Sequence, residues 1–209
     1  MIVLGLDTTG KECSAALVSR DGMLAYRRKV IGRGHAEHLG PQVQDVLAQA
    51  NITPKEIDRI AVCAGPGSFT GLRVALAFAK GLALPHNIAV LGVSGLFVRA
   101  MTANPSGRGQ IMAAQDVRRK EIFWQIFDQR QATAAPKLSP LVEVQSALTE
   151  AMDVTGSASE MLGRSAGEDF IDPAILAWLA MDANPADHPP APLYHRPPDA
   201  KLPGGITPR

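Results

Sequence analysis

Several things are scarce in this sequence, and each shortage excludes something. There are only two cysteines among 209 residues, Cys13 and Cys63, and both fall in predicted strands. Two thiols make no disulfide framework, so a reducing compartment, the cytosol, is expected. No sign of charge dominates: 21 Lys and Arg against 20 Asp and Glu leave a formal net charge of +1. That balance removes any argument from composition for general nucleic-acid affinity. Long apolar runs are missing. The most apolar stretch is about 16 residues, against roughly 20 needed to cross a bilayer. Met1 leads straight into Ile2, Val3 and Leu4 without a basic segment, so no signal peptide is expected. No internal repeat supports a solenoid. With 46% hydrophobic and 20% charged residues, what remains is an ordinary globular composition, enough for one large domain or two lobes.

The stretch 64–84, AGPGSFTGLRVALAFAKGLAL, stands out. A glycine-rich turn, Gly65 to Gly71, follows the apolar run 60–64, and a helix follows the turn with Ser68 or Thr70 as N-cap. The turn lacks the Gly-Lys-Ser/Thr ending of a Walker A loop and is not a dinucleotide fingerprint. Glycines and hydroxyls at a strand-to-helix turn suit anion binding by backbone N–H groups. A tight turn that packs a helix close to a strand is the plainer alternative. In the helix only Arg73 and Lys80 are charged, seven apart on one stripe. Such a helix is expected to be buried on nearly all sides.

Along the chain, strands are predicted at 2–6, 13–19 and 23–30, joined by the hairpin turn Arg20-Asp21-Gly22. A helix is predicted at 35–50, with Leu39, Val43, Val46, Leu47 and Ala50 on its apolar stripe. Thr53-Pro54-Lys55-Glu56 is a capping-box pattern. A strand at 88–93 leads to a helix capped by Ser94. The segment 104–109 is the expected lobe boundary. Beyond it, strands are predicted at 110–114, 121–127 and 141–144. Helices are predicted at 146–152 and 173–181. From Pro185 the tail is expected to be extended across the surface or partly disordered.

Candidate chemistry is thin. Asp7-Thr8-Thr9-Gly10 is a polar hairpin that either meets phosphate and metal or is an ordinary turn. His35 and His38 are neighbours on one helix face, but no third metal ligand is signalled. Asp116, beside Arg118, Arg119 and Lys120, is a general-base candidate or compensates three cations. Arg27, Arg28, Lys29 and Arg33 are either RNA-phosphate contacts or the charges of a protected edge strand. No Ser-His-Asp, Cys-His or paired-carboxylate spacing occurs, so no catalytic residue and no metal site are assigned.

Several blocks, taken in order, resemble the TsaB family, also called YeaZ. They are IVLGLDTTGKECSAAL (2–17), HAEHLGPQVQDVL (35–47), the stretch 64–84, Leu91-Gly92-Val93-Ser94, DVRRKEIFWQIF (116–127) and Leu193-Tyr194-His195-Arg196. The resemblance implies an α/β fold of the actin, Hsp70 and sugar-kinase type. It has two lobes with mixed sheets flanked by helices, an N-terminal lobe at 1–103 and a reduced C-terminal lobe at 104–209. It implies a non-catalytic subunit that binds and activates the TsaD-type threonylcarbamoyltransferase acting on adenosine 37 of tRNA. Other implied partners are a TsaE-type ATPase, tRNA through the complex, and a second copy of the chain when the catalytic subunit is absent. No membrane is involved.

The implied partner interface comprises His35, His38, Leu39, Val43, Val46, Phe69, Leu72, Arg73, Ala75, Leu76, Ala79 and Lys80. ATP or ADP with Mg, at or near that interface, is the one cofactor to consider, with Asp7, Thr8, Thr9, Gly65, Gly67 and Ser68 as phosphate contacts. The family's catalytic relative holds metal through His-x-x-x-His, whereas His35 and His38 are spaced His-x-x-His. The alternative function is an ATPase or kinase of the same fold using Asp7 and the Gly65–Gly71 loop.

Overall fold

A computed structural model of the chain describes residues 1–165 and 169–193. Strands β1 (Ile2–Asp7), β2 (Glu12–Ser19) and β3 (Gly22–Val30) form the expected antiparallel meander. Helix α1 (His35–Ala50) follows and runs through Pro41 without a break. The capping box is present in a short 3-10 turn, where Glu56 accepts both the Thr53 N–H (2.8 Å) and the Thr53 hydroxyl (2.6 Å). Then come β4 (Arg59–Gly65), α2 (Phe69–Ala83), β5 (Ala89–Ser94) and α3 (Gly95–Ala103). The first sheet has the order β3-β2-β1-β4-β5. β4 is parallel to both β1 and β5, so the sheet is mixed.

The second sheet is built from β6 (Gln110–Asp116), β7 (Glu121–Asp128), β8 (Gln131–Ala132), β9 (Lys137–Pro140) and β10 (Asp153–Thr155). Its path is β10-β6-β7-β8, with β9 also paired to β7. The strand expected at 141–144 is instead α4 (Leu141–Ala147). Leu-Val-Glu-Val reads equally well in either period. The helix wins because it puts Leu141, Val144 and Ala147 on one face, against Met112, Ile122 and Trp124.

Two apolar layers cover the first sheet. On one face Leu4, Leu6, Leu17 and Val62 pack with α1 and α2. On the other, Val3, Val18, Ala61 and Leu91 pack with α3 and with α5 (Pro173–Met181). Helix α3 also packs Leu96, Ala100 and Met101 on Ile111 and Phe127 of the second sheet. It is therefore shared by both sheets. The sequence PAILAWLAM of α5 is apolar all round, and it is buried on most sides with Trp178 left exposed. Arg59 holds its far end by donating to the carbonyls of Ala180 (2.9 Å) and Ala183 (2.5 Å). These mixed sheets flanked by helices make an α/β fold.

The tail begins with a 3-10 turn, Pro185–Asp187. Residues 188–193 then cross the ends of β5 and β4, with Gly92 N–H on the His188 carbonyl (3.0 Å) and Leu193 N–H on the Ala64 carbonyl (2.7 Å). Tyr194, His195 and Arg196 lie outside the described residues.

Strand β1 touches the start of α5 at Gly5, where any Cβ would run into the Pro173 carbonyl. Gly5→Ala should lower the urea midpoint, by about 1–3 kcal/mol of stability, with the m-value unchanged. An unaltered midpoint would mean that α5 moves aside without cost.

Candidate functional site

The hairpin after β1 is tied to the start of α2. The Thr8 hydroxyl donates to the Gly71 carbonyl at 2.7 Å. Ser68 N–H donates to the Thr9 carbonyl at 2.8 Å. Thr9 donates from both its N–H (3.2 Å) and its hydroxyl (2.7 Å) to Asp7 Oδ1. Ser68 is the N-cap expected from sequence, its Oγ accepting from Gly71 N–H at 3.2 Å. Two of the glycines serve close approach. A Cβ on Gly71 would strike the Thr8 carbonyl, and one on Gly67 would sit 2.5 Å from Thr9 Cβ. The structure therefore brings Asp7, Thr8, Thr9, Gly67 and Ser68 together. Their polar groups face one another and do not form an open phosphate cradle.

Asp7 is 2% exposed. It lies in a row across the sheet with Ser14 on β2 and, one step past the Leu6–Val62 pair, Cys63 on β4. Burial pushes its carboxyl up to about 6, against the opposing pull of the two Thr9 hydrogen bonds and the charge of Arg99. Burial, then the nearby Asp7 charge, pushes the Cys63 thiol up to about 12 and the Cys13 thiol up to about 11. Neither is a ready nucleophile at neutral pH. Among the described residues no three His, Cys, Asp or Glu side chains are placed to hold a metal ion. His35 Nε2 lies 3.1 Å from the Gly10 carbonyl oxygen. A sealed, doubly hydrogen-bonded Asp7 does not fit a Mg–nucleotide site.

Between the sheets lies a cavity of about 700 Å³. The hairpin and the Gly67–Ser68 turn form one wall, Gln115 to Arg118 the other, and Arg99 and Asp169 also line it. Asp116 stands there with Oδ1 accepting Arg118 N–H at 2.8 Å. Arg99 was not among the residues expected from sequence. Its signal was visible, as the one cation in the apolar helix GLFVRAMTA. Two members of the basic cluster have structural work. Arg27 donates to Gln49 Oε1 at 2.8 Å, and Arg28 pairs with Glu12 at 3.3 Å and stacks over Phe170.

The residues expected at a partner interface separate into two groups. Leu39, Val43, Val46, Ala75, Leu76 and Ala79 belong to the internal core beneath α1 and α2, and Leu72 is buried beside Gly65. In the single chain these side chains are buried beneath the two helices. His35 and His38 are half-buried, and Phe69, Arg73 and Lys80 are exposed. The outer stripe of α2 reads Phe69, Arg73, Ala77 and Gly81 and continues to Leu84 in the 3-10 turn that follows. Its ends are open, with Phe69 48% and Leu84 83% exposed, and Arg73 stacks 3.7 Å over the Phe69 ring. So the apolar helix is not buried on nearly all sides, and the face left over is partly apolar.

A family model described as TsaD, tRNA N6-adenosine threonylcarbamoyltransferase, matches residues 29–168. The tRNA threonylcarbamoyladenosine biosynthesis protein TsaB of Escherichia coli (strain K12) is 36% identical over 125 residues, covering 59% of this chain and 54% of that protein. The chain thus spans about half the length of that relative. An uncharacterized protein of Mycobacterium tuberculosis (strain ATCC 25618 / H37Rv) is 32% identical over 206 residues, covering 95% of this chain and 93% of the other. Among solved structures, YeaZ from Pseudomonas aeruginosa is 28% identical with a TM-score of 0.78, covering 92% of this chain and 99% of that one.

The buried Asp7 carboxyl has a testable linkage. Its pKa in the fold is raised above the ordinary 3.8, so its contribution to stability is fully present below pH 3.8 and is lost as pH rises through about 6. At about 1.4 kcal/mol per pH unit the loss is about 3 kcal/mol. Asp7→Asn should flatten that part of the stability–pH curve in chemical denaturation between pH 4 and 7. An unchanged slope would show that Asp7 is solvated in solution.

Proposed function

The chain belongs to the TsaB (YeaZ) family, and on that footing we propose that it is a non-catalytic subunit in the formation of threonylcarbamoyladenosine in tRNA. In this reading it binds and activates a TsaD-type threonylcarbamoyltransferase acting on adenosine 37. The relatives named for tRNA threonylcarbamoyladenosine biosynthesis support the pathway. The observation that carries the partner role is the outer stripe of α2. Phe69 and Arg73 are an aromatic–arginine pair of the kind that anchors interfaces. Ala77 and Gly81 lie between them and Leu84, and a Cβ on Gly81 would meet nothing, so another helix has room to approach.

Residues 1–103 are the partner-facing lobe in this proposal, and 104–209 the smaller second lobe. The exposed edges of α1 and α2, including His35, His38 and Lys80, form the rim. A homodimer through the same face forms when the catalytic subunit is absent. A TsaE-type ATPase joins the assembly, tRNA is reached through the complex, and the setting is cytosolic. ATP or ADP with Mg belongs at or near the partner face, outside the Asp7 pocket. The kinase or ATPase alternative draws less support, because Asp7, Thr8, Thr9 and Ser68 hydrogen-bond to one another and to the start of α2.

Mixing the purified chain with its cognate catalytic subunit should give a complex by calorimetry and size exclusion. Its absence overturns the reading. Phe69→Ala should weaken the complex by about tenfold to thirtyfold, or 1.4–2 kcal/mol. Gly81→Glu should abolish it while leaving the thermal midpoint of the free subunit nearly unchanged. By contrast, Ala79→Glu places a charge in the internal core and should unfold the subunit itself. If Gly81→Glu binds normally, the outer stripe is not the interface.

A further inference from the structure

We propose that the cavity between the two sheets is a receptor for a small free carboxylate, and that Asp169 is the chain's own tethered stand-in for that ligand. The proposal does not depend on the partner reading.

Arg99 carries it. Its side chain is only 5% exposed, in an otherwise apolar helix, yet it lines a cavity of about 700 Å³. That volume is within the range of small-molecule sites. A buried guanidinium is costly unless paired. Its Nε donates to Asp169 Oδ1 at 2.7 Å and its Nη1 to the Gly95 carbonyl at 3.2 Å. A guanidinium has five N–H donors in a fork that matches a carboxylate, so most of this capacity is left over.

The other charges of the cavity favour an anion. Glu12 is already engaged by Arg28, and Asp116 by the Arg118 N–H. Lys11 lines the same cavity and makes no ion pair among the described residues. Lys11, Arg99 and Arg118 line the cavity against Glu12, Asp116 and Asp169, and Arg28 pairs with Glu12 from outside the lining, so basic side chains outnumber acidic ones by one, and Lys11 and the remaining edge of Arg99 are placed to meet an anion. The groups that would cradle a polyphosphate are closed on one another in the hairpin and turn. A planar carboxylate fits the remaining donors better than a phosphate chain.

Asp169 is the removable half of the pair. It is 31% exposed against 5% for Arg99. Its other oxygen accepts from Gln115 Nε2 across the cavity at 3.3 Å. Its neighbours Phe170, under Arg28, and Ile171, in the core, lead into α5. A ligand carboxylate taking Asp169's place on Arg99 would release Asp169 at the start of the approach to α5.

A carboxylate on a short tether acts at an effective concentration in the millimolar range, so a free competitor has to exceed it. Asp169→Asn keeps the shape and removes the competing charge. Calorimetry or NMR titration with malonate should then show at least tenfold tighter binding than the unaltered chain. Adding Arg99→Gln should abolish it, and adding Lys11→Gln should weaken malonate more than acetate. No malonate binding by the Asp169→Asn variant overturns the proposal, as does binding that survives loss of Arg99. Inorganic phosphate bound as tightly as malonate overturns the ligand class. If the Arg99 variant fails to fold, the Lys11→Gln comparison decides the matter.

Discussion

The fit of the Asp7–Gly10 hairpin against the first turn of α2 governs most of this molecule's organisation. Strands β1 and β4 are neighbours, so the turns that leave their ends must meet. The meeting is made of backbone against backbone. Only glycine at 67 and 71 lets Thr8 and Thr9 come so near. Once that contact forms, the axis of α2 is fixed relative to the sheet, and so is the division of its side chains between core and surface. The glycine-rich signature is thus explained by packing, with its hydroxyls closing the joint.

That division has a chemical consequence. The helix offers apolar groups on more than one side, and the sheet can cover only one of them. The covered side, including Ala75, Leu76 and Ala79, holds the subunit together. The uncovered side, from Phe69 to Leu84, is what a partner would meet. In the proposed reading, stability and recognition occupy opposite faces of one helix and can be altered separately.

Much of the architecture was readable from the chain. The bounds of α1 and α5 match those expected from their apolar spacing and from Pro173 at a helix start. The capping box at Thr53 and the cap at Ser68 follow directly from side-chain chemistry. Sequence patterns misled where they were ambiguous. Residues 141–144 suit helix and strand equally until their neighbours decide. In α2 nearly every side chain is apolar, so periodicity does not say which side lies inward, and the assignment of Ala79 to a partner had no local test. Arg99 and Asp169 are 70 residues apart and meet only because α3 and the approach to α5 lie on the same face of the first sheet. No local pattern encodes such a meeting.

The path of α5 bears on how the chain is made. The first sheet is complete in strands by residue 94, yet the face carrying Val3, Val18, Ala61 and Leu91 is covered in part by α5, which begins at Pro173. During synthesis that apolar face stands partly bare while nearly eighty further residues emerge. At about 5–20 residues per second the exposure lasts several seconds at the least. A nascent chain of this fold is thus a client for whatever shields apolar surface at the ribosome, and its first sheet matures only after its second.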